Sequence, residues 1–334
     1  MNDLYPDVQS LLAAHGVSGA EAPIASGGLS GAHLSRIESG GQCYILKHLR
    51  LEEDWLMRVT GDAAYREAQF AVSPLATRLP LGVRTPSLGA SFDEEGRAIL
   101  MHDITAILLP DAHVVPTEAM DGILGRFADL HAAFWDDPMA DANIVWCAAR
   151  HRISLLGPGT GEMLIREGKD FGITRGWRAF ETLVPPAVAD LERRLARDMT
   201  PLLATLQSLP QTLLHGDLKI ANFGWDGDTL SLLDWAMVMR GPVAIDLAMY
   251  LTMNSSVLSW TLDETLERYA AHLERALGAE RFAPARWWQQ RAAIMLCGLV
   301  YYGWGKALDA EAGRPDELRW WCDGALAAVD ALDL

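Results

Sequence analysis

The sequence predicts an α+β protein of two lobes, a small β-rich lobe followed by a larger helical one, and three observations carry that expectation. Short apolar runs set between glycine- and serine-rich stretches dominate the first hundred residues or so. Beyond Asp103 the pattern changes to long stretches with apolar residues at helical spacing. No internal repeat, low-complexity tract or long flexible linker separates the two regions, so the lobes are expected to share a cleft and a short hinge near Met101 to Thr105. The division falls at 1–103 and 104–334.

In order along the chain, "PIASGGLSGAHLSRIES" (23–39) runs through glycine and serine. "QCYILKHL" (42–49) then concentrates apolar residues around one lysine, and "RAILMHDI" (97–104) is another short apolar run. Between the last two, "DAAYREAQFAVSPLATRL" repeats Ala64, Ala68, Ala71 and Leu75 at helical spacing, with Asp62 placed to cap the start. Three long amphipathic helices follow, in "MDGILGRFADLHAAFW" (120–135), "TLDETLERYAAHLERALG" (261–278) and "RWWQQRAAIMLCGLVYYGWGKAL" (286–308). Thr261 and Glu264 fit a capping box at the second of these.

Half of the 334 residues are apolar, enough for a real core. A net charge of −16 argues against a general electrostatic footprint on nucleic acid or on an anionic membrane. Cys43, Cys147, Cys297 and Cys322 are too scattered for a disulfide scaffold or a zinc site, which makes a reducing cytoplasm the default compartment. The opening "MNDLYPDVQSLLAAHGV" has no secretory pattern, and the greasiest stretch, 292–305, is too short to span a bilayer.

The chemistry concentrates in "LLHGDLKIANFGWDGDTLSLLDW" (213–235). Asp217, Lys219, Asn222 and Asp234 stand there among apolar residues, where ionised groups are costly unless something charged arrives to meet them. Asp217 and Asn222 are five positions apart, and Asp234 follows in a fresh apolar run. Kinases use this order: the first Asp receives or orients the substrate hydroxyl, the Asn and the later Asp hold Mg²⁺, and the metal neutralises triphosphate charge. Oxygen ligands suit that hard cation.

With "HGDLKIANF", "LLDW" and "GPVAIDLA" (241–248) in succession, the chain resembles the aminoglycoside phosphotransferase and choline kinase group of small-molecule kinases. Protein kinases carry Arg where Gly216 stands and Phe-Gly where Trp235 and Ala236 stand, so a small-molecule acceptor is preferred. "FADLHAAFW" (127–135) is similar to a helix of that group ending in Leu-His, which implies a structural His131. The resemblance implies a protein-kinase-like fold, an ATP- and Mg²⁺-dependent enzyme, and a hydroxyl acceptor such as an aminoglycoside-like antibiotic, an amino alcohol or a sugar. It further implies that His215 braces the catalytic loop and that Asp246 tethers it through backbone amides. Lys219 matches a lysine of many protein kinases that neutralises the transferring phosphoryl group, a surface lysine being the alternative. For Asp217, general base and orienting group both stay open. GTP stays open as the donor.

Nucleotide recognition is expected from the first lobe. "SGGLSGAHL" offers Ser26, Gly27, Gly28, Ser30 and Gly31 as a loop whose N–H groups can approach phosphate. Lys47 lies on the next strand, where kinases place a lysine on the α- and β-phosphates, and Glu67 is its expected partner, ahead of Glu52 and Glu53. Backbone groups of Met101 to Asp103 or Ile104 would meet the adenine edge. "GPGTG" (157–161) lacks a following Gly-Lys-Ser/Thr and reads as a loop of the second lobe.

Trp225, Trp260, Trp287, Trp288, Trp304, Trp320 and Trp321 all follow the catalytic loop. Core packing is the default for them, and an aromatic box for a cationic ligand is the alternative. Acidic stretches such as "WTLDETLE" could meet amines, though a charge run is usually a solvated face. Two other functions compete: a nucleotide-binding regulator without catalysis, and a protein kinase.

Overall fold

The computed structural model describes residues 4–24, 30–110, 113–282 and 284–334, with the side chains of 284–286 excepted. Ser26, Gly27 and Gly28 lie outside the described residues.

The first lobe is built on a six-stranded sheet. Its strands are β1 (Leu4–Tyr5), β2 (Ala22–Ile24), β3 (His33–Ser39), β4 (Gln42–Leu49), β6 (Ser87–Asp93) and β7 (Gly96–His102), while β5 (Val83–Arg84) stands apart. Spatial order is β1-β6-β7-β4-β3-β2, antiparallel except where β1 runs parallel to β6. Side chains alternate across β4, so Ile45, Lys47 and Leu49 share one face. Ile45 and Leu49 pack there with Ala68 and Ala71, whereas Leu46 joins Leu11, Ile37 and Leu100 on the other face. That alternation, together with the register Lys47↔Ile99, turns the lysine toward the helix that carries Glu67.

Four short helices accompany the sheet, α1 (Val8–Ala14), α2 (Trp55–Thr60), α3 (Arg66–Val72) and α4 (Pro74–Thr77). The single helix expected across 62–79 is therefore two. Pro74 has no N–H to continue α3, and Ser73 turns extended and caps α4 instead. Asp62 still performs a capping bond, accepting from the Arg66 N–H, but the chain between them passes through a left-handed Tyr65.

The second lobe holds α5 (Thr117–Ala133), α6 (Ala149–Ile153), α7 (Pro158–Arg166), α8 (Ile173–Leu183), α9 (Pro186–Arg197) and α10 (Thr200–Ser208) ahead of the catalytic segment. After it come α11 (Val243–Asn254), α12 (Leu262–Leu277), α13 (Pro284–Glu311) and α14 (Asp316–Leu332). Among these, "GPGTG" is not a loop: Pro158 takes the first helical position, where a missing N–H costs nothing, and the segment opens α7. The capping box of Thr261 and Glu264 starts α12 as expected. α11 is buried from Val243 to Thr252 and, with α8 and α14, packs on α13.

Small ladders complete this lobe. β8 (Thr212–Leu214) pairs with β11 (Met239–Gly241), and β9 (Phe223–Trp225) with β10 (Leu230–Leu232). β10 also takes β5 as a parallel neighbour, so a strand that precedes residue 103 in sequence belongs in space with the second lobe. Among the described residues, no helix is long and apolar enough to cross a membrane.

The tryptophans mostly serve packing. Trp321 and Trp304 are buried in the core, Trp287 stacks near Tyr269 and Phe282, and Trp260 lies under the guanidinium of Arg268. Trp288 is exposed. Trp288 and Trp320 line a common pocket, apart from the buried Trp304 and Trp321.

Glu192 on α9 is a buried carboxylate with a pH consequence. Burial, reinforced by Glu181 and only partly offset by Arg193, raises its pKa from 4.5 to about 7. The folded state thus holds a proton that the unfolded state releases, and stability falls as pH rises from 4.5 through 7. Glu192→Gln is expected to stabilise the fold by roughly 1–3 kcal/mol at pH 8, and by nothing near pH 4.5. Thermal melts at both pH values check this; an equal effect at both would show that the ionised carboxylate is compensated.

Candidate active site

Lys47 joins the lobes. Its Nζ is 2.6 Å from Glu67 Oε2 on α3 and 3.1 Å from Asp234 Oδ1 in the segment after β10. Burial would discharge the lysine, but Asp234 and Glu67 outweigh it and hold its pKa above the usual value. The two carboxylates are affected oppositely. Burial raises Glu67, for which Lys47, shared with Asp234, is too little compensation, whereas Asp234 is lowered because Lys47 and Lys219 together overcome the same burial.

Aromatic packing fixes the backbone that presents these groups. Phe70, one turn after Glu67, stacks on Trp235 with ring centroids 3.9 Å apart, and Trp235 meets the His215 ring at 4.6 Å. Arg66, almost fully buried, donates from Nη1 to the Ala236 carbonyl at 2.6 Å and from Nε to the Val145 carbonyl at 2.8 Å. Asp234 itself is left-handed at φ 62°, a conformation that Asp and Asn tolerate better than most residues.

The catalytic loop runs from β8 to a 3₁₀ turn at Ile220–Asn222. Gly216 has φ 80°, and a Cβ there would come 2.1 Å from the Met237 carbonyl oxygen, so glycine is required on both counts. Asp246, fully buried near the start of α11, accepts from the N–H groups of His215 (3.0 Å) and Gly216 (2.8 Å). His215 Nε2 donates to the Leu233 carbonyl at 2.8 Å, while its Nδ1 accepts from the Asp217 N–H at 3.2 Å. Each ring nitrogen is thereby committed in the neutral tautomer, and burial lowers the pKa of the ring despite the carboxylates around it. The imidazole is a brace. His131 likewise sits between Tyr269 Oη (2.6 Å) and Asp246 (3.3 Å) in the core.

Asp217 Oδ2 lies 2.9 Å from Lys219 Nζ and 3.0 Å from Asn222 Nδ2. Lys219 is therefore turned to the site instead of to open solvent. Because both hydrogens of Asn222 Nδ2 go to Asp217, its carbonyl oxygen is the acceptor left over, and the second oxygen of Asp234 is not taken by Lys47. Those are oxygen donors on one cavity, which fits a hard divalent cation.

That cavity, about 280 Å³, has an apolar end of Ala32, Leu34, Ile45, Met101, Leu108 and Leu233, and a polar end of Lys47, Glu67, Asn222 and Asp234. Ser30 and Asp103 also line it. The Asp103 side chain is spent on Arg36, at 3.0 Å, and on the Thr105 N–H, and its own N–H donates to the Cys43 carbonyl at 3.2 Å, which leaves the backbone carbonyl for a ligand. Gly31 is not a lining residue. Its left-handed backbone packs against residue 53 so tightly that a Cβ would meet the Glu53 carbonyl oxygen at 2.4 Å, a different reason for glycine than phosphate approach.

Three further residues shape the site without a sequence signal that singled them out: Arg66, Arg152 and Asn254. Asn254 accepts from the Ile220 N–H at 2.7 Å and donates to the Leu218 carbonyl at 2.8 Å, holding the far side of the loop. Arg152 reaches the Gly216 carbonyl from α6.

Residues 148–288 match the model of a phosphotransferase enzyme family, and no curated protein matches the chain. Among solved structures, the chain is similar to a GDP complex of an aminoglycoside 2'-phosphotransferase IIIa variant, at 12% identity over 93% of this chain and 92% of that one, with a TM-score of 0.51. Choline kinase LicA from Streptococcus pneumoniae matches at 14% identity, with 96% and 97% covered and a TM-score of 0.47. Macrolide 2'-phosphotransferase MphH from Brachybacterium faecium matches at 16% identity, with 96% and 95% covered and a TM-score of 0.48. The catalytic segment is thus similar to the phosphotransferase enzyme family over residues 148–288, and the chain as a whole has a two-lobed kinase-like fold.

Proposed function

We propose that this phosphotransferase moves the γ-phosphoryl group of ATP, bound with Mg²⁺, onto a hydroxyl of a small molecule. One observation carries the reading: Lys47 bridges Glu67 and Asp234 across the cleft, at the polar end of a cavity whose other end is apolar enough for a base. Asn222 and Asp234 would hold the metal, whose chemistry is to neutralise phosphate charge and set the donor in line. Lys47 presents a fixed cation to the α- and β-phosphates, with Ser30 at the loop above. Backbone groups from Met101 onward meet the adenine edge. Asp217 takes the acceptor hydroxyl, and Lys219 beside it faces the group in transfer. Little covalent work is asked of these side chains; positioning and charge stabilisation do most of it.

All the parts that a regulator without catalysis would be free to lose are present together, which favours the enzyme. Only seven residues separate Trp235 from Val243, the first residue of α11, and β11 occupies part of that interval. That is too little chain for the loop with which a protein kinase receives a protein substrate. Aminoglycoside-like compounds, amino alcohols and sugars are the acceptors to try. A cytoplasmic setting is part of the proposal, from four scattered cysteines that are free in the structure.

The test is nucleotide consumption with Mg²⁺ across aminoglycosides, macrolides, amino alcohols, choline and sugars, run with ATP and with GTP beside Asp217→Ala. Stimulation by one class that the variant lacks is expected. Incorporation of phosphate into generic protein substrates would transfer the assignment to a protein kinase.

A further inference from the structure

Arg152 is 2% exposed, yet among the described residues no carboxylate lies within hydrogen-bond distance of it. From α6 its Nε donates to the Gly216 carbonyl, and its guanidinium lies 4.3 Å from the Tyr301 ring centroid on α13. Neither terminal nitrogen makes a hydrogen bond of ordinary geometry. A guanidinium is expensive to bury in that condition, and an apolar side chain of similar volume would fill the same space at lower cost.

Its neighbour explains why a charge is there. Asp217 Oδ2 is already engaged by Lys219 and Asn222, at 2.9 and 3.0 Å. Oδ1 is engaged differently: among the described residues its ion-pair partner is Arg152 Nη2, at 3.7 Å, close enough for charge to act and too long for a hydrogen bond. One carboxylate oxygen is therefore saturated, while the other is kept in a cationic field with its lone pairs unspent.

We infer that Arg152 is a positioning residue for Asp217: it aims Oδ1 at the acceptor hydroxyl and fixes the loop through Gly216. With Oδ2 held by Lys219 and Asn222, the direction of Oδ1 is left to Arg152. The inference rests on the phosphotransferase reading, and it passes through Asp217, since Arg152 itself is shielded from substrate.

The experiment compares wild type, Arg152→Met, Arg152→Lys and Asp217→Asn in steady-state turnover, MgATP binding and thermal melting. The acceptor is whichever compound the wild type phosphorylates, or water where none is found. Arg152→Met is expected to melt at or above the wild-type temperature and to keep KM for ATP within about twofold, while kcat falls about 10- to 100-fold. Arg152→Lys, which restores charge without the same bond to Gly216, should fall between the two. Stability and turnover then move apart, which the loss of a merely structural residue would not produce. Unchanged kcat in Arg152→Met, or a fall in kcat that follows a fall in melting temperature in both variants, would overturn the inference. Failure of the reading beneath it looks different: Asp217→Asn would then turn over as fast as the wild type.

Discussion

Replacing Asp217 by Asn is expected to lower kcat about 100- to 10 000-fold, with the affinity for MgATP unchanged within about twofold. Asn nearly matches Asp in shape, so the contrast isolates charge. Asp217 does not line the nucleotide cavity; Lys219 and Asn222 approach it from its own loop and Arg152 from α6, and of these Asn222 alone lines that cavity. Removing its charge leaves the acceptor hydroxyl without an anion to accept its hydrogen bond, and leaves two cations facing each other across a neutral amide. Steady-state kinetics with nucleotide titration by calorimetry checks both halves. A variant that bound MgATP poorly would move Asp217 into the nucleotide site, contrary to its place in the loop.

The second large effect is expected at Asp234. Because this residue is left-handed at φ 62°, Asn preserves the backbone where Ala would strain it, so Asp234→Asn separates charge from fold. The wild type should bind ATP more tightly with Mg²⁺ than without. The variant should lose that gain, a difference of ~1.4 kcal/mol or more, which is tenfold in affinity. In the presence of a chelator the two proteins should bind ATP alike. Turnover should collapse in the variant, since without the metal the charge developing on the transferring group is left to the lysines alone. Retained Mg²⁺ dependence in Asp234→Asn would take the metal away from this side chain.

Much of this arrangement was legible in the sequence, and what was not has definite physical causes. β4 could be read because its apolar alternation is clean and a lone lysine interrupts it; once the strand is placed, period two alone decides which face Lys47 takes. Thr261 and Glu264 could be read because a capping box is a local agreement between two residues. Alanine spacing over 62–79 reads as one helix, but Pro74, whose missing N–H cannot continue α3, divides it. Helices α6 to α10 are short, at most 12 residues, and none opens on a side-chain cap, so they lack the local start signal that marks α12. Lys219 could not be separated from a surface lysine until the 3₁₀ turn at Ile220–Asn222 was seen to fold it back on Asp217. Arg152, in "ARHRIS", reads as one of several solvated cations; packing against α13 alone buries it under Gly216.

The central claim is that phosphate passes from the nucleotide to a hydroxyl of a small molecule. Its most direct test is to supply ATP labelled in the γ-phosphate and follow the label by mass spectrometry across the acceptor panel. The account predicts the label as a phosphate ester on one acceptor class, dependent on Mg²⁺ and absent with Asp217→Asn. Label found on protein substrates, or no transfer by a protein that binds MgATP well, would contradict it.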